Sequence, residues 1–274
     1  MKTKALRVLS WVLLAVAAVG LVVIVRQKMG LETGAKAYDE AARLAGFAPA
    51  QAADAPEDTP APSVTRPQLM EEDAGPAAET PRELPEEARH LENLDLPALR
   101  AVNEQVCGWI EIPGTPLSYP LVQGEDNQYY LTHTWTFEYS PMGAIYFECT
   151  NQPDLSDFHT LIYGHRMMDD TSMFSSLKEY KSLDYWQKHP SVYLAMEDGV
   201  HQYDIFSAHQ VRTTEMVYRL DVADMKEDFY LYCIENSDIQ TGVMPQRGDQ
   251  ILTLSTCANL GSSVRWVVHA IRRY

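Results

Sequence analysis

Basic side chains are scarce. The 274-residue chain carries 22 Lys and Arg against 38 Asp and Glu, a formal net charge of −16 with histidine neutral. No basic stripe with interleaved aromatics occurs, which argues against a nucleic-acid partner. Cysteine is scarce as well. Cys107, Cys149, Cys233 and Cys257 are the only four, with no C-x-x-C pair and no zinc-type ligand spacing. A phosphate-cradling glycine loop is also missing, so no metal or other cofactor is implied. No internal repeat is visible, and long apolar runs are limited to one.

That run is at the N-terminus. Lys2, Lys4 and Arg7 precede Val8 to Val25, interrupted only by Ser10 and Gly20, and Arg26 and Lys28 close it. At about 1.5 Å per residue it reaches roughly 27 Å, enough to cross a hydrocarbon core. Ala15-Val16-Ala17 has the form of a signal-peptide cleavage site. The apolar run continues well past Ala17, however, which suits an uncleaved anchor. Positive charge on both flanks gives a weak orientation signal, and a signal-anchor would place the large polar remainder outside the cell.

The remainder divides by composition. Residues 1–29 read as the membrane anchor. Residues 30–46, with Leu31, Ala35, Tyr38, Ala42 and Leu44 at loosely helical spacing, read as a short juxtamembrane helix. Residues 47–87 read as a disordered acidic Pro/Ala-rich spacer, holding eight of the sixteen prolines and ten acids against two arginines. With few large apolar residues, no core there offsets the ordering entropy. The chain's acidity is therefore largely a property of this tether.

Residues 88–274 carry the only globular pattern. Short strands are expected at 106–112, 143–148, 160–164, 191–196, 202–208, 250–256 and 265–271. Helical fragments are expected at 95–105, 172–180 and 222–236. Many short strands with few, irregularly placed helices suggest a closed or nearly closed barrel rather than a βαβ sheet.

Three of the cysteines sit in apolar runs and read as buried free thiols, although an even count outside the cell also fits disulfides. Cys257 differs. It ends the strand-like "QILTLSTC" after two hydroxyl residues and precedes a polar loop. His165 follows another strand in "LIYGHRM", where Gly164 would let the backbone turn. Arg265 opens the last strand, and a hairpin would bring it beside Cys257. A thiolate, an imidazolium and a guanidinium together suit nucleophilic attack on an amide: nucleophile, acid for the leaving amine, and oxyanion partner. By residue type alone, His165 reads equally as a structural strand-end residue and Arg265 as a surface ion-pair residue. His269 is a rival on the face of Arg265, but lies about 13 Å further along the strand.

Read in order, "CGWIEIPGTPLSYPLVQG" (107–124), "DNQYYL" (126–131), "IYGHRM" (162–167) followed by "MFSSLKEY", "TLSTC" (253–257) and a downstream strand arginine make a specific pattern. The chain resembles a class B sortase, one of the cysteine transpeptidases that anchor proteins to Gram-positive cell walls. The resemblance covers residues 95–274. It implies a mainly β fold, an eight-stranded sortase-type barrel with interspersed helices, preceded by the transmembrane helix. It further implies His165, Cys257 and Arg265 in the catalytic positions, with Asn127, Leu131, Tyr163, Ser255 and Thr256 along the peptide groove. Some class B members carry an acid two places after the cysteine, where this chain has Asn259.

What the resemblance implies chemically is cleavage of a sorting-motif peptide of secreted surface proteins. An acyl-enzyme thioester forms and is resolved by an amine of the peptidoglycan precursor. The partners are then that peptide, that amine and the cell membrane, with the N-terminus cytoplasmic and the catalytic domain extracellular. Alternatives are an extracytoplasmic cysteine peptidase, in whose families the cysteine usually precedes the histidine, and a pilus-assembling sortase. A tethered adhesin or pilin is expected to end in a sorting signal, whereas this chain ends just after a strand.

Overall fold

The computed structural model describes residues 2–47, 84–167, 171–257 and 264–273. Most of the expected spacer, and Asn259, lie outside the described residues.

The anchor and the juxtamembrane helix, expected as separate pieces, are one helix. α1 runs unbroken over Lys2–Leu44. No proline interrupts it, and a helix-interior glycine costs only about 1 kcal/mol. From Trp11 to Val25 its large apolar side chains point outward, with Trp11 72% and Ile24 64% exposed. Hydrocarbon accommodates such a surface and water does not. Among the described residues it is the one helix long and apolar enough to cross a membrane. Beyond Met29 the helix becomes one-sided. Gly30, Gly34, Ala37, Tyr38, Ala41 and Ala45 are buried at three- and four-residue spacing, against the barrel domain. The turn closes with paired bonds from Phe47 N–H to the Ala42 carbonyl (2.9 Å) and from Gly46 N–H to that of Arg43 (3.2 Å), with Gly46 at φ +83°.

The next described segment begins at Leu84. Leu84 is buried, and a 3-10 segment at Glu86–Asn93 buries Ala88 and Leu91. α2 (Leu96–Val102) follows, capped by Asp95, whose carboxylate accepts from Ala98 N–H at 3.0 Å.

The strands are β1 (Val106–Glu111), β2 (Ser118–Val122), β3 (Ile145–Phe147), β4 (His159–Gly164), β5 (Ser191–Met196), β6 (Gly199–Arg212), β7 (Ile251–Cys257) and β8 (Val264–Arg272). They close into a barrel in the order β1-β2-β3-β4-β7-β8-β6-β5. β2/β3 and β4/β7 are parallel pairs and the rest antiparallel. β2 escapes a reading of the sequence because Pro120 sits inside it. Proline is tolerated there because β3 meets β2 only at Leu121 and Val122, so the missing N–H removes no bond on that side. α3 (Leu183–Lys188) links a 3-10 turn at Ser175–Lys181 to β5.

Strand alternation divides the core in two. Leu252, Leu254, Val268 and Ala270 face the barrel interior with Trp109 and Ile162. Ile251, Val267 and Ile271 face outward, under the long β6–β7 connection. There Phe229 and Cys233 of α4 (Lys226–Glu235) seal a second apolar cluster.

Three histidines are buried on this outward face. His159 Nδ1–H faces the Arg219 carbonyl (3.3 Å), its Nε2 accepts from Thr253 Oγ1 (2.8 Å), and Thr253 accepts in turn from His269 Nδ1 (2.8 Å). The chain is satisfied only by neutral rings. The Nε2 atoms of His209 and His269 have no partner among the described residues, so a proton there would point at nothing. Burial pushes His159 and His209 down to about 4 and His269 well below the ordinary imidazole value. The unfolded chain therefore binds more protons than the folded one between about pH 6.5 and 4. Stability contributed by these rings is fully present above that window and lost as pH falls through it. Each neutral ring contributes a slope of up to about 1.4 kcal/mol per pH unit. A melting temperature that drops steadily from pH 7 to pH 5 is expected in a buffer series. A flat profile would show that the rings titrate alike in both states.

Candidate active site

β4, β7 and β8 adjoin in the barrel wall, and their registers bring the sequence candidates to one end. Gly164 pairs with Thr256 across β4/β7, so His165 leaves β4 beside Cys257. Cys257 pairs with Arg265 across β7/β8. Neighbouring strands lie about 4.8 Å apart, so the three backbones are adjacent. On β7, Thr253 and Ser255 occupy the outward row, opposite His269 and Val267 of β8. His269 pairs with Thr253 instead, four register positions down β8, and is fully buried. The hairpin expected from connectivity is present, and it separates Arg265 from His269.

Gly164 serves differently from the turn expected of it. Its φ is not positive. A Cβ there would come within 2.5 Å of Ile145 Cδ1 and 2.7 Å of the Phe174 ring, so glycine is required by packing inside the barrel mouth. His165 is half-buried, and its Nε2 lies 2.6 Å from the Leu131 carbonyl oxygen. A carbonyl only accepts, so Nε2 carries a proton, and in the neutral ring Nδ1 is the basic nitrogen. Arg265 is half-buried, with Nη1 3.2 Å from its neighbour's carbonyl at Val264.

The residues expected along the peptide groove part company. Tyr163 and Ser255 pair across β4/β7 in the outward row. Ser255 Oγ meets Tyr218 OH at 2.8 Å, which ties the β6–β7 connection to the site. Thr256 alternates to the interior row. It is 1% exposed, and its hydroxyl has no partner among the described residues. Only its backbone is available to the outward face. Leu131 contributes the carbonyl that holds His165. Asn127 is engaged at both ends of its amide: Nδ2 donates to Glu148 (2.6 Å) and Oδ1 accepts from Cys149 N–H (2.8 Å).

Glu148 and Tyr218 are the residues that sequence reasoning missed. Glu148 Oε2 also accepts from Tyr163 OH at 2.8 Å. Burial alone would raise this carboxyl. Hydrogen bonds from Asn127, Tyr163, Cys149 and Thr150 outweigh it and hold the carboxyl below its usual range. The only sequence signal was an acid closing the apolar "AIYFE". Tyr218 carried none.

The other thiols are poor nucleophiles. Cys233 is buried and Cys107 and Cys149 are half-buried, less enclosed than their apolar surroundings in sequence suggest, and all three are free. Burial pushes the Cys107 thiol up to about 11 and that of Cys233 well above the ordinary value. Cys149 is raised by burial and by neighbouring Glu148. Thiolate is disfavoured at each. Among the described residues no three His, Cys, Asp or Glu side chains converge on a metal-sized site.

Known proteins share this fold. A sortase domain matches residues 110–273. Sortase B of Listeria monocytogenes is 34% identical over 168 residues, 60% of this chain and 67% of that protein. Among solved structures, a Staphylococcus aureus sortase B–substrate complex superposes with a TM-score of 0.62 at 30% identity, covering 65% of this chain and 84% of that one. A sortase B complexed with triglycine gives 0.61 at 29% identity, with 65% and 85% covered. The fold and the matched domain define a cysteine transpeptidase of the type that anchors surface proteins. The chain belongs to the sortase family, and within it to class B.

Proposed function

We propose that Cys257, His165 and Arg265 carry the transpeptidation. The observation that supports this reading is the double register, Gly164 with Thr256 and Cys257 with Arg265, which makes the three residues neighbours at one barrel end. The Cys257 thiolate attacks the threonine carbonyl carbon of the Thr–Gly-type bond in a sorting peptide. The C–S bond forms, the amide C–N bond breaks, and the leaving amine takes its proton from the His165 imidazolium through Nδ1. Arg265 opposes the charge that develops on the carbonyl oxygen. An incoming amine then attacks the thioester and returns a proton to the imidazole, and the thiolate leaves. The thioester conserves most of the amide's free energy, so no ATP is needed.

The peptide lies along the outward face, between the 3-10 turn at Tyr129–Leu131 and the Tyr218 segment. Tyr163 forms its floor, Ser255 lies beneath Tyr218 at 2% exposure and supports that segment from below, and Glu148 fixes Asn127 and Tyr163 at its edge. The acceptor is an amine of the peptidoglycan precursor, in keeping with the triglycine ligand of the solved relative. To test this, the full chain in detergent micelles is incubated with a library of Pro-containing pentapeptides and digested for mass spectrometry. An acyl adduct on the Cys257 peptide is expected. An adduct confined to another cysteine, or none, would overturn the assignment.

The same reading gives a topology. Residues 8–25 of α1 stay attached and cross the membrane, with residues 30–274 outside the cell. The exposed apolar surface from Trp11 to Val25 supports it. Intact-mass analysis of the membrane-extracted protein should find the N-terminus retained, and external protease should degrade the barrel domain in whole cells. A mature N-terminus near Ala18 or Val19 would contradict it.

A further inference from the structure

The barrel-side part of α1 packs against the segment that holds His165. Between residues 129 and 143 the chain forms one 3-10 turn, Tyr129–Leu131, and an isolated bridge, His133 to Tyr139. Without a strand ladder, its shape depends on individual hydrogen bonds, and three of them join it to α1. Trp135 Nε1–H donates to the Ala37 carbonyl at 2.8 Å, and Ser140 Oγ–H donates to that of Gly30 at 2.8 Å. Tyr38 OH donates to the Gly143 carbonyl. The helix comes this close because Gly34 has no side chain. A Cβ there would lie 2.6 Å from Ser140 Oγ and 2.7 Å from Met142 Sδ.

Gly143 is wedged between α1 and the imidazole. With φ +59°, a Cβ on it would come within 2.9 Å of both His165 Cδ2 and the Leu131 carbonyl oxygen. That oxygen is the acceptor 2.6 Å from His165 Nε2. One buried path therefore runs from the Tyr38 hydroxyl through Gly143 to the group that sets the ring's orientation and decides which nitrogen is basic. The Tyr38 ring is itself held, edge-on to Tyr119 at 5.2 Å.

We infer that residues 30–45 of α1 are a positioning element for His165, with Tyr38 as its principal residue, so that the membrane helix is a working part of the active site and not a passive tether. The inference rests on the catalytic reading of His165 given above. Removing the Tyr38 hydroxyl leaves a buried carbonyl unpaired and frees Gly143 to shift, and an ångström of misplacement at a reacting group is worth up to about 10²-fold in rate. Because α1 is continuous from Lys2 to Leu44, the same path connects the membrane-crossing segment to the imidazole.

The experiment compares full-length protein in detergent micelles, using the best-cleaved fluorogenic member of the Pro-containing pentapeptide library. Tyr38→Phe keeps the ring and removes only the hydroxyl. Its kcat is expected to fall roughly 3- to 10-fold, with KM within about twofold and the melting temperature lower by only a few degrees, so that the protein stays folded under assay. The limb of the pH–rate profile that depends on His165 should shift, which a purely structural role would not produce. Gly34→Leu, which pushes the helix off Ser140 and Met142, should lower kcat by about 10²-fold while the barrel stays folded. If it fails to fold, Tyr38→Phe alone decides. His165→Ala is run alongside. Turnover retained in His165→Ala would remove the catalytic reading itself. An inactive His165→Ala beside a Tyr38→Phe protein with wild-type kcat and pH profile would overturn the inference and leave α1 a tether.

Discussion

Cys257→Ala is expected to abolish both peptide cleavage and the acyl adduct, with kcat falling by on the order of 10⁴–10⁶, as loss of a nucleophile does elsewhere. The fold should survive, because β7 is held by Ile251, Leu252 and Leu254, all fully buried, and by ladders to β4 and β8 along its length. Cys257→Ser should be almost as inactive. A hydroxyl in the same place lacks the accessible anionic form that makes a thiol reactive near neutrality. Alanine at Cys107 or Cys149 should leave turnover close to wild type, since both thiols are held protonated. Steady-state cleavage of a fluorogenic peptide, with circular dichroism to confirm folding, separates these cases. Turnover surviving in Cys257→Ala would take the thiol out of the mechanism.

Arg265→Lys is expected to be nearly as damaging as Arg265→Ala, each lowering kcat/KM by about 10²–10³. Lysine keeps the charge but not the planar, two-pronged donor geometry that can brace a peptide and its oxyanion together. Arg265 is half-buried at the end of the barrel wall, so either change should move the melting temperature little. His269→Ala should do the opposite. That ring bonds Thr253 at 2.8 Å inside a sealed cluster, so its loss should lower stability by roughly 1–3 kcal/mol and leave turnover per folded molecule largely intact. A dead His269→Ala enzyme beside a healthy Arg265→Lys enzyme would move the site away from the Cys257 end of the hairpin.

Much of this architecture is written in local pattern. The apolar run from Val8 to Val25 predicts a membrane helix because only length and hydropathy are needed. Seven of the eight strands announce themselves by alternation and turn residues. The β7–β8 hairpin follows from connectivity alone, which is why the sequence pairs Cys257 with Arg265. His165 is different. It lies 92 residues before the cysteine, and bringing the two together took the likeness to known sortases. In the structure the parallel pairing of β4 with β7 does it.

What the pattern could not carry is whatever depends on who packs against whom. β2 was hidden by Pro120, because only the extent of its pairing with β3 reveals that the missing N–H matters to no neighbour. The groove residues needed the strand's two faces: alternation turns Ser255 outward and Thr256 into the barrel, a distinction that motif matching does not make. Glu148 gains its role from Asn127 and Tyr163, which arrive from elsewhere in the chain. The largest gap was α1. Its residues 30–45 look like an ordinary amphipathic stretch, since small residues such as Gly34 and Ala41 carry little hydropathy signal. The sequence by itself determined that this chain has a long apolar N-terminal helix, a β-barrel and a cysteine at a strand end. Only tertiary structure decided that the helix continues onto the barrel domain, because close approach depends on the shape of the surface it meets, and that surface is assembled from α2, β2 and residues 130 to 143.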